Sequence, residues 1–543
     1  MALDGSLEHH LWIWFVFKTV TFLTFVISAL FTIGTVILYL RWKRIHRHFG
    51  DVPGTEDDWP FVRTVLTHIH LKRRSKDDCI DYNVLFFEYI VAGSWRMRRH
   101  PFFRTYMGDA PYIIIHKAEA AEALLNNSTM IHKSAEYRLL NPWLGTGLLT
   151  SSGSKWRVRR KMLTPAFHFR ILEDLLPVIN EHSVIFQDVL SEISEKEEVI
   201  DIAPLVARCT LDVICETAMG TKINALRCSD SKYVLAVKRL GELFLSRAAK
   251  PWLWPDIIYN LTVEAAEFKA CLDILHSFTR KVIKERKATL LNQHEMMMEH
   301  QEHGTVGAGD HLPGQSRTAF LDLLLSQHFK DPSFTEEDIR EEVDTFTFEG
   351  HDTTAVGISW ALYMIGMHHH VQERIHAELE NIFGTDTERN ATMNDIRSMK
   401  YLECVLKESQ RLFPSVPLIA RLLQQGWKYA QQLGVTGSIL IGGRYKLCRF
   451  FKIYEYLCLI MRYFLPSYVF EIYPFAIPFY AAPKFAVTSQ RFAMMEMKTL
   501  VSRILRNFTL HSMDQRNKVQ LAAELVLRPH DGLRIKLKSR KKT

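Results

Sequence analysis

Residues 341 to 367 read EEVDTFTFEGHDTTAVGISWALYMIGM. On both sides of its centre the stretch is apolar at helical spacing, and from Ala355 to Met367 it is apolar almost all round, as in a helix buried within a domain. The centre breaks that pattern with Glu349, Gly350, His351, Asp352, Thr353 and Thr354. A glycine inside a helix costs about 1 kcal/mol relative to alanine, and threonine hydroxyls compete for backbone carbonyls. A break of this kind marks either a kink or a place where the helix passes a ligand. The pattern predicts one long helix from about Ile339 to His368 through the middle of a domain, with residues 349–354 kept from the surface.

Two further pairs flank this helix in sequence. Trp156 and Arg160, in KWRVRRKMLTPAFHF, stand four residues apart and share a helix face. An indole N–H beside a guanidinium can hold a carboxylate; the same pair also occurs as a surface cation–π contact. Glu408 and Arg411, in LKESQRLFPSVPLIAR, have the spacing of an intrahelical ion pair, a common arrangement that usually adds little stability.

The rest of the chain is mostly helical by periodicity. Ala118–Leu125, Ile171–Leu190, Leu211–Met219 and Glu264–Glu285 repeat apolar residues at three and four, while Tyr112–His116 is the clearest strand. The expected class is mainly α with a small β portion. With 47% hydrophobic and 24% charged residues, the chain has the make-up of a folded domain rather than a disordered one. The net charge of +8 is spread out, apart from Arg41, Lys43, Arg44 and Arg47 and the stretch Arg534–Lys542. Neither group is interleaved with aromatic stacking residues, which argues against nucleic acid as a partner. The eight cysteines form no Cys-x-x-Cys pair, so they read as buried thiols rather than as zinc ligands. Residues 292–317 are polar and carry His294, His300, His303 and His311 at irregular spacing, which suits a solvated linker.

The N-terminus has its own character. Leu11–Leu40 is almost continuously apolar, and Thr19–Leu40 alone meets the ~20 residues needed to cross a bilayer. A cleaved signal would have a basic start and a shorter apolar core, whereas this start carries Asp4 and Glu8. The basic cluster after the span puts the remainder on the cytosolic side. Residues 1–48 are therefore expected to be a membrane anchor with its basic stop, 49–62 a hinge, and 63–543 one domain.

The stretches NPWLGTGLLTSSGSKWRVRRKMLTPAFHF (141–169), EVDTFTFEGHDTT (342–354) and SQRFAMMEMKTLVSRILRNF (489–508) closely resemble sequence blocks of the cytochrome P450 superfamily, in particular its family 4. The resemblance runs from the anchor to about Arg421 and again from about Phe475. It implies a haem-thiolate monooxygenase fold behind an N-terminal transmembrane helix, in the endoplasmic reticulum membrane. The reaction it implies is hydroxylation of fatty acids or related lipids with electrons from an NADPH-dependent reductase. Carried over position by position, Trp156 and Arg160 would hold a haem propionate, and Asp352 and Thr353 would be the acid–alcohol pair that delivers protons. Glu349 would match a glutamate that becomes ester-linked to the haem, Glu408 and Arg411 a structural pair behind the proximal face, and Asp344–Gly357 the distal lining.

The haem loop departs from this pattern. The family reads Phe-x-x-Gly-x-Arg-x-Cys-x-Gly; here Phe479 is kept, Lys484 replaces the arginine, Ala482 and Thr488 replace the glycines, and Ala486 stands at the cysteine position. Val487 is the other possible counterpart, and neither side chain has a donor atom. Residues 422–474 are also foreign, rich in aromatic and basic residues, without the family's short β-sheet and meander. Cys448 and Cys458 lie within this stretch but precede no glycine-bearing loop. Three readings follow: a family enzyme in which an exchanged exon or reading frame has replaced this segment, a decaying gene, or a haem-free lipid-binding relative.

Overall fold

The computed structural model describes residues 4–49, 52–54, 60–108, 110–125, 131–167, 169–227, 231–302, 319–422, 438–441 and 487–540. The first half runs α1 (Asp4–Phe49), α2 (Pro60–Asp78), α3 (Tyr82–Arg96), β1 (Phe102–Met107), β2 (Ala110–Ile115), α4 (Ala118–Leu125), α5 (Asn141–Leu144), α6 (Gly153–Leu163), α7 (Phe169–Glu195), β3 (Val199–Asp201), α8 (Ile202–Ala218), α9 (Lys232–Ala248), α10 (Asp256–Tyr259) and α11 (Val263–Glu302). The second half runs α12 (Phe320–Lys330), α13 (Glu336–Met367), α14 (His369–Phe383), α15 (Met393–Ser398), α16 (Lys400–Leu412), β4 (Ile419–Leu422), β5 (Ser438–Ile441), α17 (Val487–Asn507), β6 (Phe508–Ser512), β7 (Leu521–Ala523), β8 (Leu527–Pro529) and β9 (Arg534–Ser539).

Helix α13 is the expected central helix. Thr335 caps its start in a reciprocal capping box with Asp338, and Glu336, Glu337 and Asp338 place negative charge against the positive end of the helix dipole. It packs against α8, α16, α17 and β6. Its apolar half joins Trp360, Tyr363 and Ile365 to the main core, where Trp360 stacks on Phe413 at 4.1 Å. Within α1, Trp12–Arg44 is long and apolar enough to cross a membrane, and its large apolar side chains face outward.

The strands form a four-stranded sheet in the order β1-β2-β5-β4, a three-stranded sheet β3-β9-β6 and the pair β7-β8. Strand β5 corrects the expectation that no sheet strand lies between residues 422 and 474. Ser438–Ile441 pairs parallel with β2 and antiparallel with β4, as the short β-branched run SILI favours. Two boundaries also move. Helix α2 begins at Pro60, so residues 60–62 are helical rather than hinge, and α11 extends through Glu302, so residues 292–302 are not linker.

Candidate functional site

Close approach of a loop to α13 builds the site. Gly145, at φ +52°, turns the chain after α5, and a Cβ on Gly147 would fall 2.6 Å from the Thr345 hydroxyl. Glycine here lets the backbone bond directly to the helix: Thr146 N–H donates to Glu341 at 2.8 Å and Leu148 N–H to Glu342 at 3.1 Å. Helix α6 is then tied to the start of α13. Arg159 is buried, donates to Asp338, and lies 3.6 Å from Glu342, while Lys155 lies 3.2 Å from Glu341. With Arg159 committed to this clamp, Trp156 and Arg160 occupy another face of α6, and both are part-buried.

In α13, His351, Asp352 and Thr354 are buried, whereas Glu349, Gly350 and Thr353 keep partial access. Positions 349, 350 and 353 share one helix face, so this face is the open one. Around Glu349 the charges are cationic. Burial pushes its carboxyl up to about 7, against the pull of Lys133 and Arg160. Lys133 is driven well below the ordinary lysine range, first by burial and then by Arg421, with Glu349 acting the other way. Arg160 is likewise lowered by burial and supported by Glu349. Strand β4 brings Arg421 to this place by pairing beside residues 132 and 133, where Leu422 N–H donates to the His132 carbonyl at 2.9 Å.

The Thr353 hydroxyl donates to the Glu349 carbonyl at 2.7 Å, and the Thr353 carbonyl accepts from Ser415 at 2.7 Å. Asp352 points elsewhere. It is ion-paired with Arg528 of β8, which also holds Glu524 at 3.1 Å. Burial pushes Glu524 up to about 7. Glu408 and Arg411 form a buried two-pronged pair at 2.8 and 2.6 Å. His351 lies edge-on to Tyr233, and burial lowers it to about 4, so it is neutral and off the open face. Asp344 is not part of that face either: it is buried between Arg340 and Thr279, and burial raises it to about 7.

Reasoning from sequence missed Lys133, Arg421, Arg528 and Glu524. The available signal was a lone cation inside a short apolar strand, at IARL for Arg421 and LVLRP for Arg528. Lys484, Ala486, Cys448 and Cys458 lie outside the described residues. Among the described cysteines, Cys209, Cys215, Cys271 and Cys404 are buried free thiols and Cys79 is exposed. No cluster of three metal-ligating side chains occurs among the described residues.

The model of the family "Cytochrome P450" matches residues 94–430. Human cytochrome P450 4V2 is 42% identical over 460 residues, covering 84% of this chain and 85% of that protein. Drosophila melanogaster cytochrome P450 4c3 is 37% identical over 525 residues, 94% of each chain. The chain belongs to the cytochrome P450 family. Its relatives place it in family 4 of these monooxygenases. A crystal structure of another P450, CYP102L1, shares the fold with a TM-score of 0.62 at 20% identity, over 83% of this chain and 94% of that one.

Membership implies haem, and the residues fit it on one side only. The open face of α13 with Lys133, Arg160 and Arg421 nearby suits a flat group carrying carboxylates. On the axial side the P450 pattern needs a thiolate. The resemblance puts Ala486 or Val487 at the cysteine position, and the match to the family model ends at residue 430, before that loop. In α17, which follows the loop, the Glu496 carboxylate is buried with no hydrogen-bond partner among the described residues. At the position that the resemblance gives the axial cysteine the sequence therefore offers no donor atom, and Cys448 and Cys458 lie outside the described residues.

Proposed function

We propose that the scaffold is that of a family 4 monooxygenase for fatty acids or related lipids, and that the chain with Ala486 does not itself oxygenate them. The observation that carries the first half is the polar break of α13, whose open face presents Glu349 and Thr353 beside Lys133 and Arg160. When bound, haem supplies oxygen activation in this family, and Trp156, Arg160, Lys133 and Arg421 would hold its propionates. Asp352 and Thr353 have the residue types of an acid–alcohol pair. Thr353 already lies on the open face, while Asp352 is held back by Arg528, so Arg528 would set when the acid is free. Glu349, whose carboxyl burial pushes up to about 7, is the candidate for the covalent ester, and Lys484 for a further propionate contact.

Alanine cannot replace the thiolate, which carries the second half of the reading. The chain as written is a lipid-binding P450 scaffold, held by α1 in the endoplasmic reticulum membrane with its domain in the cytosol. An NADPH-dependent reductase is the partner of the loop-restored form. The test is lipid oxidation with that reductase and NADPH by the chain as written, by Ala486→Cys, and by the triple change Ala482→Gly, Ala486→Cys, Thr488→Gly. Oxidation is expected from the triple variant, since the loop also needs its glycines. Turnover by the unmodified chain contradicts the reading and makes Cys448 and Cys458 the first residues to replace.

A further inference from the structure

Where α13 ends and α14 begins, the chain reads MHHHVQER (367–374). This junction rests on β6, the outer strand in the order β3-β9-β6. Two sets of polar contacts fix the one against the other. The Ser512 hydroxyl donates to the Tyr363 carbonyl at 2.6 Å, and the approach is so close that a Cβ on Gly366 would fall 2.6 Å from that hydroxyl. Further along, the buried Gln372 amide clasps Leu510, donating to its carbonyl at 3.1 Å and accepting from its N–H at 2.7 Å. A side chain here supplies the pairing that an edge strand otherwise lacks. Beside these fixed points lie His369, which is exposed, and His511, which is part-buried. Their ring centroids are 5.0 Å apart and their planes are tilted by 55°.

That spacing has a chemical meaning. Two imidazole nitrogens, each about 2.0–2.1 Å from one ion at a tetrahedral angle, put their ring centroids about 5 Å apart. Neither ring takes part in a hydrogen bond or ion pair among the described residues. An imidazole binds a metal only in its neutral form. Burial, and then His369, Lys538 and Lys536, lower the pKa of His511 from its ordinary value, so its lone pair is available at neutral pH. Of those cations Lys536, opposite His511 on β9, is ion-paired with Glu197 at 2.8 Å. No cluster of three protein ligands occurs among the described residues, so water would fill the remaining positions. Imidazole suits zinc, copper and nickel, whereas magnesium and calcium take oxygen ligands.

We propose that His369 and His511 form a surface site for one divalent ion of the zinc and copper class, completed by water. When occupied, it staples the start of α14 to β6, and with them the end of the central helix α13. The contacts of Ser512 and Gln372 hold the two rings at this spacing, so little ordering remains to be done on binding. The site uses neither haem nor the loop at residues 479–488, so it stands or falls apart from the proposed activity.

The test uses the full chain in detergent micelles, purified without a histidine tag and stripped of metal by a chelator. Zinc and copper are titrated separately by calorimetry, with magnesium as the control ion. The chain should bind zinc and copper but not magnesium. His369→Gln and His511→Gln should each weaken zinc binding by about tenfold or more, while His511→Cys, which keeps a ligand at that point, should retain it. Replacing His294, His300, His303 and His311 together by glutamine should leave this binding unchanged. In the copper-loaded chain, electron paramagnetic resonance should report two imidazole nitrogens, and one fewer in either single glutamine variant. Circular dichroism of the metal-free variants confirms that each is folded. Zinc binding by the parent no tighter than by His369→Gln, binding lost only with the four-histidine variant, or equal binding of magnesium would each overturn the proposal.

Discussion

The centre of α13 and the loop at residues 479–488 are the two halves of one expected site, and they differ in kind. At Glu349–Thr353 three of the polar side chains have counterparts, Lys133 and Arg160 beside Glu349, Arg528 on Asp352 and the Glu349 carbonyl under the Thr353 hydroxyl, while the buried ring nitrogens of His351 have no hydrogen-bond partner among the described residues. At Ala482, Ala486 and Thr488 the departures run the other way, toward residues that remove a ligand and add Cβ atoms. A polar group in a core is costly unless partnered, so a kept and partnered set is the mark of a working arrangement. The contrast sets the proposed cofactor frame of α13 against a loop whose sequence has alanine where the resemblance expects the axial cysteine.

If the frame is intact without the loop, breaking its buried charges should hurt folding even with no haem present. Glu408→Leu leaves Arg411 buried alone and should cost about 3–5 kcal/mol in denaturant unfolding. Glu408→Leu with Arg411→Met should recover most of that loss. A single variant as stable as the parent would mean that this half is not organised as described. Arg528→Met comes next. It strips a shared cation from Asp352 and Glu524, and about 3 kcal/mol should be lost near neutral pH, less in acid where the carboxyls are protonated.

The smallest effect is a pH dependence at Glu349. Its folded pKa, at about 7, is above the unfolded value, so the stability it contributes is full below about 4.5 and is lost as pH rises through 7. Glu349→Gln has no proton to lose. Its melting temperature relative to the parent should therefore rise between pH 5 and pH 8, by the equivalent of about 1–2 kcal/mol. A flat difference would place the carboxyl in water rather than among protein groups.

Much of the frame was legible in sequence because it is local. Helical spacing gave α4 at its observed ends and α13 to within three residues, and the i,i+3 and i,i+4 rules gave the Glu408–Arg411 pair and the shared face of Trp156 and Arg160. What stayed hidden depends on contacts distant in sequence. Lys133 and Arg421 meet only because β4 runs beside residues 132 and 133, and Arg528 reaches Asp352 across 176 positions. Helical spacing does reveal that His351 and Asp344 cannot share the face of Glu349 and Thr353, once one asks which residues lie together rather than which lie within the window. Strand β5 escaped notice because four residues in a foreign-looking segment carry almost no periodic signal.

The most direct test of the contrast is haem itself. The chain as written and the Ala482→Gly, Ala486→Cys, Thr488→Gly variant should be expressed with ample haem, purified, and compared for haem per chain and for absorption when reduced under carbon monoxide. The account predicts substoichiometric, easily lost haem and no thiolate-type band for the chain as written, with both restored in part in the variant. One tightly held haem per unmodified chain, with a thiolate-type band, would contradict it.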